Sequence, residues 1–267
     1  MSVRRVAIVL NERKPEAKAR AREIANVLVD RGVDVGLEEP DLVISLGGDG
    51  TMLRAAQHAH VADVPLLGVN LGTLGYLTEV DATHEVEAVQ RVLAGDFETQ
   101  DRMMLMCSAE GPGEESGIGP VVALNEVLVE RATRQRLVRL GVKVGGESLG
   151  DFNSDGIIVA TPTGSTAYAL SAGGPIVSPR AECLVVVPVS PHMVFSRPFV
   201  LAPDEVVEIT VRDSAPPASL SLDGHLGCDL GSGATAVVRR HERPLKLVRL
   251  GGPRFIERLR TKMNLPG

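Results

Sequence analysis

The chain predicts an α/β domain followed by a mainly β, sandwich-like domain. Three observations carry this. Up to about Phe97, apolar runs of strand length alternate with segments of helical periodicity. Beyond it the rhythm changes to short β-rich runs separated by turns. At 267 residues and 44% hydrophobic, the chain has apolar material for one large core or two moderate ones.

The first strand is read at Val6-Ala7-Ile8-Val9-Leu10, a run too short and too soon interrupted by Asn11-Glu12-Arg13 to be a secretory leader. Pro15 opens a helix with Ala17, Ala21, Ile24, Ala25 and Leu28 on one face, and Gly32 closes it. A strand at Leu42 to Leu46, a short helix after Thr51, a strand at Val64 to Val69 and a helix carrying Val86, Val89, Val92 and Leu93 up to Gly95 follow. This is the pattern of a parallel sheet with helices on its faces. The β-rich runs are Met103 to Ser108, Val121 to Glu130, Leu137 to Val144, Ile157 to Ala160, Leu184 to Val189 and Val206 to Val211. Alternation on both sides of Gly145-Gly146 predicts a hairpin, and Glu110 to Pro120, acidic and glycine-rich, predicts an exposed loop. Phe255, Ile256, Leu259 and Met263 share one face of a final helix. The expected division is 1–97, 98–248 and a C-terminal helix at 249–267.

Net charge −6 and a pI near 5.6 give no reason to expect nucleic acid as a partner. With no Trp and 3% aromatic residues, base-stacking platforms are not expected either. No apolar stretch approaches a membrane span, so no membrane partner is expected. Cys107, Cys183 and Cys228 are few, odd in number and far apart, which fits a reduced cytoplasmic compartment and core positions. A small ligand is the expected partner.

The most informative segment is Gly47-Gly48-Asp49-Gly50-Thr51, between an apolar strand and a helix-like run. Glycines let a ligand approach closely, amides opening a helix can face phosphate oxygens, and a carboxylate held there can accept a proton. The competing reading is turn chemistry alone, with Thr51 as a helix N-cap. A second segment, Thr161-Pro162-Thr163-Gly164-Ser165-Thr166-Ala167-Tyr168, follows the Asp155 to Ala160 run with a hydroxyl- and glycine-rich turn. Such a turn can hold ribose, amide and phosphate oxygens without a charge, or can simply cap a helix starting near Ser165. A third, Asn125-Glu126, interrupts an apolar strand; buried, it needs partners that a ligand can supply, whereas a strand end in solvent needs none. No P-loop or zinc helix is present. The Gly-x-Gly-x-x-Ala match from Gly231 to Ala236 precedes an apolar run instead of following one, and carries no weight.

Taken together these segments resemble the ATP-dependent NAD kinases. Gly47-Gly48-Asp49-Gly50-Thr51 is similar to that family's GGDG motif, Asn125-Glu126 to its Asn-Glu or Asn-Asp pair, and the segment from Thr161 to Tyr168 to its TPTGSTAY run. Asn11, Lys14-Pro15, Gly68-Val69-Asn70, the run from Gly72 through Thr73 and Leu74 to Leu77, Ser190-Pro191-His192, Arg197-Pro198 and Asp223-Gly224 extend the likeness over nearly the full length. The resemblance implies a nucleotide-binding α/β domain and a β-sandwich-like domain with NAD between them, and a C-terminal helix returning to the first. It also implies transfer of the γ-phosphoryl group of ATP to the 2′-hydroxyl of the adenosine ribose of NAD, with a divalent metal, Mg2+, bridging the donor phosphates. The family is usually oligomeric, implying a homodimer or homotetramer.

Carried over, Asp49 is the base, with Gly50 beside it and Arg54 a contact one turn later. Gly47, Gly48, Gly50 and Thr51 face the ATP phosphates. Asn125 and Glu126 hold the ribose, and Asp155, Thr166, Ala167, Tyr168 and Ser171 bind the nicotinamide and adenine portions. Arg136 stands where the family often contacts the nucleotide, although its run with Arg131, Arg134 and Arg139 equally reads as a solvated face. Two positions depart from the pattern: Asn153, where a basic residue is frequent, and His225, where Gln is common. Both stay in the expected NAD-binding set. Lipid kinases with a GGDG-type loop, phosphofructokinase and a non-catalytic dinucleotide-sensing subunit are the alternatives; the length of the TPTGSTAY likeness and the intact Asp49 weigh against them.

Overall fold

The computed structural model describes residues 3–72, 75–111, 117–133, 136–192, 196–212 and 216–266. Thr73, Leu74 and Arg134, named above, lie outside them. Two compact units result, Met1–Arg102 with Pro244–Gly267, and Met103–Arg243.

The first unit runs β1 (Arg5–Leu10), α1 (Pro15–Val29), β2 (Asp34–Val35), β3 (Leu42–Gly47), α2 (Asp49–Ala62), β4 (Leu66–Asn70), β5 (Val80–Asp81), α3 (Glu85–Leu93) and β6 (Glu98–Arg102). The second contributes β7 (Leu105–Glu110), β8 (Ile118–Ala123), β9 (Glu126–Arg131), β10 (Val138–Val144), β11 (Glu147–Ser154), β12 (Gly156–Ala160), α4 (Tyr168–Ser171), β13 (Leu184–Val189), β14 (Phe199–Leu201), β15 (Val207–Val211), β16 (Ala218–Leu222), β17 (His225–Leu230) and β18 (Thr235–Arg240). The chain then returns to the first unit with β19 (Leu245–Arg249) and α5 (Phe255–Met263).

In the first unit the sheet order is β2-β1-β3-β4-β19-β6, parallel except for the β19–β6 pair. Leu42, Ile44 and Leu46 of β3 share a core with Ile24 and Leu28 of α1 and Val89 and Val92 of α3. Met52 of α2 packs so closely on β4 that a β-carbon at Gly68 would stand 2.6 Å from its sulfur. That contact leaves room for no side chain at position 68.

The second unit is a sandwich of two six-stranded antiparallel sheets, β11-β10-β15-β18-β7-β8 and β14-β13-β12-β9-β16-β17. Their inner faces meet in one core that includes Phe152, Leu140, Ile209, Val238, Val129, Ile157 and Val186. The second sheet is also covered outside, where Leu128, Ile158, Val185 and Val187 pack with Ala169 of α4. Burial on both faces explains why Ile157-Ile158-Val159-Ala160 and Leu184-Val185-Val186-Val187 are continuous apolar runs with no polar alternation. Gly145 and Gly146, with φ of 57° and 84°, form the two-residue β10–β11 hairpin turn.

Four expectations change. The boundary near Phe97 moves to Arg102 and the end at 248 to Arg243, because β6 pairs with β19, and β19 joins β4 through Leu247 and Leu66. The second helix starts at Asp49 with Gly48 as its N-cap, so it does not wait for Thr51. The run from Val121 to Glu130 is two strands broken at Leu124-Asn125. Within the expected loop from Glu110 to Pro120, Ile118–Pro120 already belong to β8, which is registered on β7 through Ile118 and Ala109.

Candidate active site

In the first unit the C-terminal ends of the parallel strands converge, where ligands bind in open α/β sheets. Gly47 ends β3, and the amides of Asn11 and Leu71, just past β1 and β4, donate to the carbonyls of Leu46 and Gly47. Asp49 is the first residue of α2, a position at which the helix dipole favours a carboxylate. Its carboxylate accepts the backbone N–H groups of Tyr76 at 3.0 Å and Leu77 at 3.2 Å. Burial, and secondarily the Asp49 charge, raise the Tyr76 phenol above its ordinary range.

The glycines here have different reasons. A β-carbon at Gly47 would stand 2.2 Å from the Thr51 hydroxyl oxygen, so packing requires glycine there. At Gly48 and Gly50 a β-carbon would meet nothing within 4 Å, and neither has a positive φ. Thr51 is only 4% exposed. Arg54 is exposed and donates to the Leu10 carbonyl at 3.0 Å, tying α2 to the end of β1. Lys14 donates to the Leu71 carbonyl at 2.7 Å beside Gly72.

In the second unit, Asn125 and Glu126 are buried where β8 gives way to β9. The break is built by Asp223, whose carboxylate accepts the N–H groups of Leu124 at 2.8 Å, Asn125 at 2.7 Å and Glu126 at 3.2 Å. Asp223 and Gly224, with φ of 50° and 76°, form the β16–β17 turn that presents this carboxylate. From the other side Thr161 donates its hydroxyl to the Leu124 carbonyl at 2.6 Å and its amide to the Asn125 carbonyl at 2.8 Å. Gly164 lies so close that a β-carbon would be 2.0 Å from the Asn125 carbonyl oxygen.

Burial, with the Asp223 charge second, pushes the Glu126 carboxyl up to about 7, against the opposing N–H of Tyr168. Its Oε2 is buried with no hydrogen-bond partner among the described residues. Burial likewise raises Asp223, opposed by its three amide donors and the nearby His225.

The hydroxyls of the Thr161–Tyr168 segment divide. Thr161 and Ser165 are fully buried and committed inside the chain, Ser165 donating to the Pro162 carbonyl at 2.7 Å and accepting the Val177 amide at 3.0 Å. Thr166 and Ala167 are half-buried, whereas Tyr168 and Ser171 are exposed. Asp155 pairs with Arg131 at 3.0 Å and, with Glu130, adds to the burial that raises the Tyr168 phenol. Arg139 pairs with Asp151 at 2.7 Å, so two members of the basic run are salt-bridged instead of simply solvated. Arg136, Asn153 and His225 are exposed.

Sequence reasoning assigned no role to Asp223, or to Tyr76 and Leu77, whose amides hold Asp49. An Asp-Gly turn signal marked Asp223, and the others stood out only as part of the Gly72 to Leu77 run of the family likeness. Among the described residues no group of three or more His, Cys, Asp or Glu could hold a metal ion, and no helix is long and apolar enough to cross a membrane.

Residues 37–97 match the model of the ATP-NAD kinase N-terminal domain and residues 124–250 that of the ATP-NAD kinase C-terminal domain. An NAD kinase of Heliobacterium modesticaldum is 39% identical over 278 residues, covering 97% of this chain and 98% of the relative. A yeast NADH kinase complexed with NADH superposes with a TM-score of 0.91 at 24% identity, covering 100% of this chain and 89% of the other, and so shares the fold. An NAD kinase from Archaeoglobus fulgidus in complex with ATP gives a TM-score of 0.77 at 27% identity, covering 98% and 100%. With both domain models matched and a curated relative aligned almost end to end, the chain belongs to the ATP-NAD kinase family.

Proposed function

We infer that this chain transfers the γ-phosphoryl group of ATP to the 2′-hydroxyl of the adenosine ribose of NAD, giving NADP and ADP. Family membership and the near-complete alignment with the Heliobacterium NAD kinase support the reaction, and the Archaeoglobus relative bound to ATP supports the donor. The observation that carries the residue assignment is the carboxylate of Asp49, held by two backbone amides at a helix start between two glycines that packing does not require. Close approach of a ligand is a reason for glycine at 48 and 50.

Asp49 takes the proton of the 2′-hydroxyl as the new oxygen–phosphorus bond forms and the bond to the β,γ-bridging oxygen breaks, releasing ADP. The amides opening α2, with Gly47, Gly48, Gly50 and Thr51, face the phosphates, and Arg54 stands beside them. Asn125 and Glu126 hold the ribose; the buried Oε2 of Glu126 is an acceptor for a ribose hydroxyl. Asp155, Thr166, Ala167, Tyr168 and Ser171 bind the rest of NAD, with Arg136, Asn153 and His225 at the edge. A Mg2+ carried on the triphosphate would neutralise charge on the transferred group. Action in the cytoplasm as a homodimer or homotetramer completes the reading.

The test is NADP formation from NAD and Mg-ATP by the purified protein, with Asp49→Asn alongside. Formation by the wild type, with turnover of the variant lowered by orders of magnitude and NAD binding kept, is the expected result. No NADP from a protein that binds NAD would favour a sensing subunit.

A further inference from the structure

On the reading of Asp49 as the base, we propose that Arg258, in the C-terminal helix, is a positioning residue that sets the Asp49 carboxylate through the backbone arch 75–79. The amides of Tyr76 and Leu77 hold that carboxylate, yet the described residues of the connection between β4 and β5 are neither helix nor strand. Something else must hold the connection in place. Arg258 Nη1 donates to the carbonyls of both Gly75 and Thr78, bracketing the two amides that reach Asp49. Its Nε donates to the Pro253 carbonyl at 2.9 Å, and its Nη2 lies 3.4 Å from the Glu79 carboxylate at the end of the arch.

Glu79 is itself a knot. It pairs with Arg249 and accepts the amides of Leu250 at 2.7 Å and Gly252 at 3.0 Å. One helical turn beyond Arg258, the Lys262 ammonium lies 5.7 Å from the centre of the Tyr76 ring. Two residues on one face of α5 therefore grip the same arch. Arg258 is only 2% exposed, and burying a guanidinium is costly unless its donors are met. Here they are met by the carbonyls that shape the arch. Burial, then Arg249, depresses the Arg258 guanidinium, while the charges of Glu79 and Asp49 oppose this. Arg258 thus acts on Asp49 by geometry and by field. Were it only a tether for the chain end, its loss would lower stability and leave the turnover of folded enzyme unchanged.

The experiment measures the steady-state kinetics of NADP formation for Arg258→Met and Arg258→Lys, each in the wild-type and Asp49→Asn backgrounds, with circular dichroism to verify folding. Arg258→Met is expected to lower kcat about 10–100-fold with KM for NAD changed less than about threefold, since a displacement of about 1 Å can cost that much. Arg258→Lys should recover part of the loss. In the Asp49→Asn background neither Arg258 change should cost more, because the group it acts through is gone. An equal loss in both backgrounds, or a folded Arg258→Met with wild-type kcat, overturns the proposal. If Arg258→Met does not fold, the same comparison is made with Arg258→Lys. Failure of Asp49 as the base shows in Asp49→Asn alone, before Arg258 is touched, and takes this proposal with it.

Discussion

A β-carbon placed on Gly75 would lie 2.0 Å from Oδ1 of Asp49 and 2.7 Å from its Cγ. Gly75 has no positive φ, so backbone conformation does not demand glycine there. The space is taken by the carboxylate, which reaches the amides of Tyr76 and Leu77 only because position 75 carries no side chain.

Gly75→Ala should therefore displace the Asp49 carboxylate while leaving the rest of the sheet intact. The expected outcome is a fall in kcat of about 10–100-fold with NAD affinity kept, read by steady-state kinetics and titration calorimetry. Wild-type kcat in this variant would mean that the cradle does not matter for turnover.

Glu126 makes stability depend on pH in a definite direction. Its carboxyl, held at about 7 against an ordinary 4.5, binds its proton more tightly in the folded chain. The folded state is therefore unpenalised below the unfolded pKa and loses stability as pH rises through 4.5 to about 7, by up to roughly 3 kcal/mol. Glu126→Gln removes this ionisation and should raise Tm relative to wild type at pH 8 but not at pH 4.5. Scanning calorimetry at both pH values checks this, and equal shifts at the two would contradict it.

Asp223→Ala should be among the most destabilising single changes in the second unit. It strips the acceptor from three backbone N–H groups, those of Leu124, Asn125 and Glu126, and puts alanine at a φ of 50°. Unmet buried donors cost about 1–3 kcal/mol each before relaxation, so a loss of roughly 3 kcal/mol or more is expected from urea unfolding. Asp223→Asn keeps an acceptor and tolerates the left-handed backbone, and should cost less.

Cys107 is fully buried between the sheets, and burial pushes its thiol up to about 12. It should resist a thiol reagent such as Ellman's at pH 8 in the native protein and titrate fully after denaturation. Mass spectrometry of the labelled cysteines distinguishes it from the partly exposed Cys228.

The elements most legible in the sequence are those whose signals are local. Pro15 at the start of α1, Gly32 after its end, the Gly145-Gly146 hairpin and the apolar runs of β3, β12 and β13 each specify a conformation from neighbours a few residues away. Less legible was the register of the break at Leu124-Asn125, since it is made by a carboxylate almost a hundred residues downstream. The hydroxyl-rich segment from Thr161 to Tyr168 was visible as a group. Its division into buried Thr161 and Ser165, spent on the chain's own carbonyls and amides, and exposed Tyr168 and Ser171 followed only from burial.

By itself the sequence determined the two-part architecture, the position of Asp49 at a strand-to-helix turn and the family likeness, because periodicity, turn chemistry and motif spacing are properties of contiguous residues. The tertiary structure alone decided that β19 sits in the first sheet, that Gly75, Tyr76 and Leu77 cradle Asp49, and that Arg258 and Glu79 brace that cradle. These pairings join groups up to 183 residues apart, at positions 75 and 258. What fixes them is the matching of buried donors to acceptors, a condition that exists only once the chain has closed around them.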